Sequence, residues 1–300
     1  MSTTNKRAGQ IQACTINGVS AGGIMSIGLQ FGFDQVVNSP ADGLGVPVYD
    51  KQTQFCRGNV RSQDWVHLIE LLTGTVGTLI CYERKSGAAE ASGYIKHTVN
   101  NPIVHQMALK LSHRAYADIA ATFECKAADE TKGFDDMYTQ LDAQAAPTYV
   151  PAARGLEMTA VLLGGSLAIS HVTGLDLMIK LPVGKASSDG DVGYTAVDQI
   201  INGMTASGSL RFQDSSISTT ILSQRLLAAV VGNLVLTVKQ SSGATAKTLT
   251  IARVDFTNVS DEKNNDVQNP YTEHVANFVI NNDPSTPLTL EGANKIITIA

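Results

Sequence analysis

Charge, cysteine and tryptophan are all scarce in this chain. Of its 300 residues only 16% are Asp, Glu, Lys or Arg, and the net charge is −5. That balance excludes a protein built to grip nucleic acid by neutralising many phosphates. The deficit of cations is uneven. Residues 1–127 carry 11 basic against 9 acidic side chains, residues 128–155 carry 2 against 5, and residues 156–300 carry 9 against 13. A surface poor in charge and rich in Ser, Thr, Asn and Gly suits a chain that buries much of itself in an assembly.

The four cysteines, Cys14, Cys56, Cys81 and Cys125, all fall in the first half, and no two stand at a C-x-x-C spacing. A disulfide framework essential to the fold would be expected in both halves. Free, buried thiols in a reducing cytosol are therefore expected. Long apolar runs are also missing: the longest, Leu226 to Val238, is broken by Gly232-Asn233 and is too short to span a bilayer. Met1 to Arg7 is polar and leads into no apolar segment, so neither a secretory signal nor a membrane anchor is expected.

What is present is a repeat. Gly58-Asn59-Val60-Arg61-Ser62-Gln63-Asp64 returns as Gly208-Ser209-Leu210-Arg211-Phe212-Gln213-Asp214. Each copy runs into a helical pattern, then a Gly and an apolar strand, Gly77 to Tyr82 and Gly232 to Thr237. A period of half the chain is too long for a solenoid and predicts two tandem copies of one domain, over 1–127 and 153–300, joined by a linker at 128–152.

Most of the rest reads as strands. Ile24 to Phe33 alternates, with Met25, Ile27, Leu29, Phe31 and Phe33 on one side, as a half-buried strand does. Residues 34–54 and 183–195 read as long glycine-bearing loops at matching places. Asp64 suits a helix N-cap, followed by Trp65, Leu68, Ile69 and Leu72 at helical spacing, with Gly74 as the stop. Further strands are predicted at about 76–84, 91–99 and 103–126, the last broken near Arg114 to Tyr116. Phe134 to Ala145 predicts a short acidic helix. The second copy predicts strands near 156–163, 174–182, 207–213, 233–241, 246–259 and 271–281. A final pair at about 287–290 and 295–299 has no counterpart in the first half. The fold class expected is mainly β: two tandem β-sandwich or barrel domains, each with one flanking α-helix.

No catalytic constellation emerges. Gly18-Val19-Ser20-Ala21-Gly22 has the spacing of a nucleophile elbow but lacks the preceding sheet and following helix, so a turn between strands is expected. His97, His105 and His113 recur every eighth residue without acidic or thiol ligands to complete a metal set, so packed or interfacial histidines are expected. His67 and Glu70 lie one helical turn apart, with no second His to make a zinc motif. Trp65 reads as a core anchor. No enzyme, cofactor or metal is expected. Arg61 and Arg211, with Asp64 and Asp214, are the candidate residues: recurrence at one spot predicts a shared contact, to the helix-start carboxylate or across a subunit interface.

The element order, with Gly-[Asn/Ser]-[Val/Leu]-Arg before the helix and long early loops, resembles the tail tube proteins of long-tailed bacteriophages. The same fold serves the inner tubes of contractile injection systems and type VI secretion. The resemblance implies rings of six such domains stacked into a hollow tail tube through which double-stranded DNA passes. A chain with two tandem domains would form homotrimeric, pseudo-sixfold rings. It implies partners that are copies of itself and other tail proteins: tape measure, tail terminator, and baseplate or tail-tip proteins. The protein would assemble in the bacterial host cytoplasm and end in the virion tail. Asp42, Tyr49 and Asp50 in the first loop, and Lys185, Asp189 and Asp191 in the second, are the candidate residues for bridging rings. An acidic lumen would let DNA slide unheld. The alternatives are a baseplate or tail-tip ring component, or a tandem β-sandwich binding carbohydrate or a receptor.

Overall fold

The computed structural model describes residues 7–38, 48–73, 77–85, 93–127, 134–148, 156–162, 167–186, 195–199, 203–213, 226–228, 232–240, 246–262, 272–290 and 294–300. It is mainly β, and its ladders are antiparallel. A five-stranded sheet runs in the order β2 (Val19–Ala21), β1 (Arg7–Ile16), β5 (Thr78–Lys85), β6 (Tyr94–Asn100), β9 (Tyr138–Gln144).

A twelve-stranded sheet starts with β11 (Leu167–Ile169), β10 (Leu156–Leu162), β16 (Gly232–Gln240), β17 (Lys247–Glu262) and β18 (Glu273–Ile280). It continues through β15 (Thr205–Phe212), β12 (Val172–Lys180), β7 (Pro102–Ser112), β8 (Asp118–Cys125) and β4 (Val48–Ser62) to β3 (Ile24–Asn38). The short β19 (Ile297–Ile299) adds to β17. A separate hairpin joins β13 (Val183–Ala186) and β14 (Thr195–Gln199).

The strand pairings of the first half recur in the second. β2-β1-β5-β6 is matched by β11-β10-β16-β17, and β7-β8-β4-β3 by β17-β18-β15-β12. β17 thus does in one strand what β6 and β7 do in two. The bend between β6 and β7 falls at Asn101, with φ 44°, and the matching point of β17 is Arg253, with φ 51°. The amide of Lys126 donates to Asn101 O at 3.0 Å, and that of Asn281 to Arg253 O at 2.9 Å. Even the irregularities coincide: a bulge lies between Ile24 and Ser26 and again between Val172 and Gly174. Another lies between Val104 and Gln106 and again between Phe256 and Asn258.

The alternating apolar residues of both halves feed one contiguous core, which includes Phe123, Phe212, Phe278, Leu111, Leu175 and Leu210, all 1% exposed or less. Trp65 is 3% exposed and sits in this core, as its register with Leu68 predicts. The helix it opens is short. α1 (Trp65–Leu68) tightens at once into a 3-10 turn over Ile69–Thr73. In the second half residues 226–228 are helical.

Three expectations change. The acidic helix ends at Met137: α2 (Phe134–Met137) gives way to β9, because the open edge of β6 offers a ladder that a short isolated helix cannot match. The expected linker therefore contributes a sheet strand. β19 occupies the matching edge, opposing Leu249 to Ile251 of β17 as Tyr138 to Gln140 oppose His97 to Val99 of β6. The C-terminal strand thus has a counterpart in the first half. Finally, residues 34–54 form less loop than expected, since β3 and β4 continue pairing as far as Asn38 and Val48.

Candidate assembly interface

In a sheet strand alternate residues share a face, so the side of the long sheet turned away from the core can be read from register. Arg61, Lys110, Asp118, Asp176, Ser207, Ser209, Thr257 and Asn277 lie there and, with their neighbours from seven strands, line one open groove of about 770 Å³. A single groove spanning that many strands makes this face concave.

The repeated arginines meet on it. Arg61 on β4 forms a two-pronged ion pair with Asp118 of β8, Nε to Oδ1 at 2.7 Å and the second nitrogen on Oδ2. The contact raises the Arg61 pKa further above its ordinary value, because the carboxylate hydrogen-bonds and attracts the charged guanidinium. Arg211 on β15 reaches Asp176 of β12, Nη2 to Oδ2 at 2.8 Å. Between them stands Lys110 of β7, which in register opposes Asp118 on one side and Asp176 on the other. The result is a belt across five neighbouring strands: Arg61, Asp118, Lys110, Asp176, Arg211. It crosses the join between the halves.

The helix-start carboxylate is therefore not the partner of Arg61. Asp64 caps α1, accepting from the His67 amide at 3.3 Å, from the Gly22 amide at 2.9 Å, and contacting His67 Nδ1 at 2.7 Å. Asp118, Asp176 and Lys110 are not legible as a group along the chain, since the aspartates sit far from the arginines they meet and Lys110 joins them only through strand register. Their visible signal is a charged residue on the polar side of an alternating strand. Of the other candidates, Tyr49 and Asp50 belong to β4, with Cα partners Val37 and Val36. Lys185 lies in β13 opposite Ala196. Asp42, Asp189, Asp191 and Asp214 lie outside the described residues.

The join itself is a strand pair. β12 hydrogen-bonds to β7 from Gly174–Ser112 to Lys180–Gln106, placing Leu177 opposite Leu109 and Ile179 opposite Met107. By the matching of the halves, β12 corresponds to β3 and β7 to the later part of β17. Among the described residues β3 pairs with β4 alone, and β17 beyond Val254 pairs with β18 alone. Several apolar side chains are displayed along β3: Met25 is 49%, Phe31 43% and Phe33 39% exposed.

The remaining motifs are placed within the sheets. Ser20 lies in β2 opposite Thr15, after a turn at Asn17-Gly18. His97 contacts Tyr138 Oη at 2.7 Å and Glu83 at 3.2 Å, and His105 contacts Glu124 at 3.2 Å. His274, buried, contacts Asp261 at 2.8 Å. Among the described residues no group of three or more His, Cys, Asp or Glu is gathered as a metal site would require, and no helix is long and apolar enough to cross a membrane. No family model matches the chain, and no curated protein matches it.

Proposed function

We propose that this chain is a ring-building structural protein: two tandem copies of one β domain, three chains to a pseudo-sixfold ring, rings stacked into a hollow tail tube. The observation that carries the reading is the join between β12 and β7. Within one chain it is a head-to-tail contact, and it leaves β3 and the end of β17, the matching strands, with complementary edges. Repeating the same contact between chains is a heterologous interface, which closes into a ring when the rotation per step divides a full turn. Closure would also cover the free edges of β3 and of the end of β17, and uncovered edges make an open sheet prone to uncontrolled pairing.

The intrachain register fixes the interchain one. Carrying the Ile179–Met107 pair over to the matching strands puts Phe31 opposite Val259, and carrying Leu177–Leu109 over puts Leu29 opposite Asp261. Phe31, whose ring already packs against Tyr138 at 4.7 Å between centroids, would then gain Val259 as a cross-strand apolar neighbour. In such a ring the concave face turns to the lumen. Two aspartates stand among its three cations along the belt, so DNA would meet only one positive charge in excess there to hold it.

Electron microscopy of negatively stained protein should show rings or hollow filaments with threefold or pseudo-sixfold symmetry. A chain carrying both Phe31→Cys and Val259→Cys should give covalent dimers and trimers on a denaturing gel after oxidation. A monodisperse monomer that never polymerises, and never cross-links through these positions, would overturn the proposal.

A further inference from the structure

The four cysteines come together as two cross-strand pairs. Cys14 of β1 is the register partner of Cys81 of β5, and the sulfurs are 3.4 Å apart. Cys56 of β4 and Cys125 of β8 stand one residue beyond the Arg57–Glu124 pair, and their thiols hydrogen-bond to each other. All four are buried and free. One pair lies in the five-stranded sheet and the other in the long sheet, so each layer of the first half holds one.

The second half is an internal control. Its matching positions are Ala160 opposite Leu236, and Ala206 with Ile280 one residue beyond the Ser207–Val279 pair. The fold at these places needs an apolar pair and no sulfur. In the first half both members of both pairs carry a thiol.

We propose that Cys14–Cys81 and Cys56–Cys125 are two latent dithiol sites, which a small-molecule disulfide such as oxidised glutathione converts to two cross-strand disulfides. In each, one cysteine thiolate attacks the glutathione disulfide, forming a mixed disulfide and releasing one glutathione thiolate. The partner cysteine thiolate then attacks the protein sulfur of that mixed disulfide and releases the second. Two protein thiols and one glutathione disulfide become one protein disulfide and two glutathione thiols. Burial raises the pKa of Cys81, and the hydrogen bond to Cys56 together with burial raises that of Cys125, so thiolate is scarce in the closed fold. Exchange therefore proceeds through local opening or during folding, and the closed fold then shields the product from reduction. The same burial keeps each thiol away from cysteines of other chains.

The test uses the full chain purified reduced. One sample is incubated folded with excess oxidised glutathione, and another is refolded from denaturant in a glutathione redox buffer. Both are then alkylated in denaturant and mapped by peptide mass spectrometry. The expected result is two links, Cys14–Cys81 and Cys56–Cys125, with a melting temperature about 5–10 °C above the reduced form. The double substitution Cys14→Ala with Cys81→Leu, borrowing the second-half pair, should keep the reduced melting temperature and form the remaining link only. Four alkylatable thiols by both routes, lasting glutathione adducts, or links between cysteines of different pairs would overturn the proposal.

Discussion

Gly58 and Gly208 stand at matching places on β4 and β15, and each lies under a phenylalanine of the next strand. A Cβ on Gly58 would meet Phe123 at 2.5 Å and Gly28 O at 2.8 Å, and one on Gly208 would meet Phe278 at 2.5 Å and Asp176 O at 2.3 Å. Three residues further on, Arg61 and Arg211 also match, yet they turn to opposite flanks. Arg61 pairs with β8, the strand towards the join, and Arg211 with β12, also towards the join. Because β4 and β15 lie on either side of it, pointing inward means taking different neighbours. The carboxylate that matches Asp118 in the second half is Glu273, which accepts a hydrogen bond from Thr173 instead. Repeated backbone geometry recurs because sterics fix it. Ion-pair partners are set by what lies alongside, and at the join the two halves have different surroundings.

The largest effect expected from testing this comparison is at Gly208. Gly208→Ala should cost about 3 kcal/mol, since a backbone oxygen and a packed ring both stand in the way of the new methyl group. Gly58→Ala should cost less, about 2 kcal/mol, because the carbonyl there is further off. Denaturant midpoints would settle the order, and a greater loss at Gly58 would break the steric ranking. Asp64→Ala should follow, at about 1 kcal/mol, with the cap and the Gly22 amide both losing an acceptor. Arg211→Ala should fall below about 1 kcal/mol, as partly exposed ion pairs do, and the loss should shrink in high salt. Arg61→Ala should leave thermal stability almost unchanged, because the pair it breaks is open to solvent. If either arginine substitution abolished ring formation while leaving the monomer's melting unchanged, the belt would be an assembly contact as well as an intrachain one.

Much of the fold was legible along the chain. The period-2 alternation of Ile24 to Phe33 marks part of β3, and that of Leu175 to Leu181 marks β12, because a half-buried strand writes its two faces into alternate residues. Asp64 announced the start of α1 through the chemistry of its cap. β9 was misread, since its sequence is acidic and helix-compatible and only the open edge of β6 makes it a strand. The span of β1 is not legible along the chain, because Arg7 to Gln10 mixes small and polar residues with no apolar alternation. For the candidate interface, the sequence displayed the two arginines and the register of β3 but not their neighbours.

By itself, then, the sequence determined the local rules: which residues alternate, where a carboxylate caps a helix, and that one glycine-to-aspartate element occurs twice. These depend on neighbours within a few residues, so they can be read in order. The tertiary structure alone decided that β12 lies against β7, that four cysteines meet as two pairs, and that both arginines face one belt. Each of those joins residues tens of positions apart, brought together by burial of a shared core and by the register of strands that the chain order does not fix.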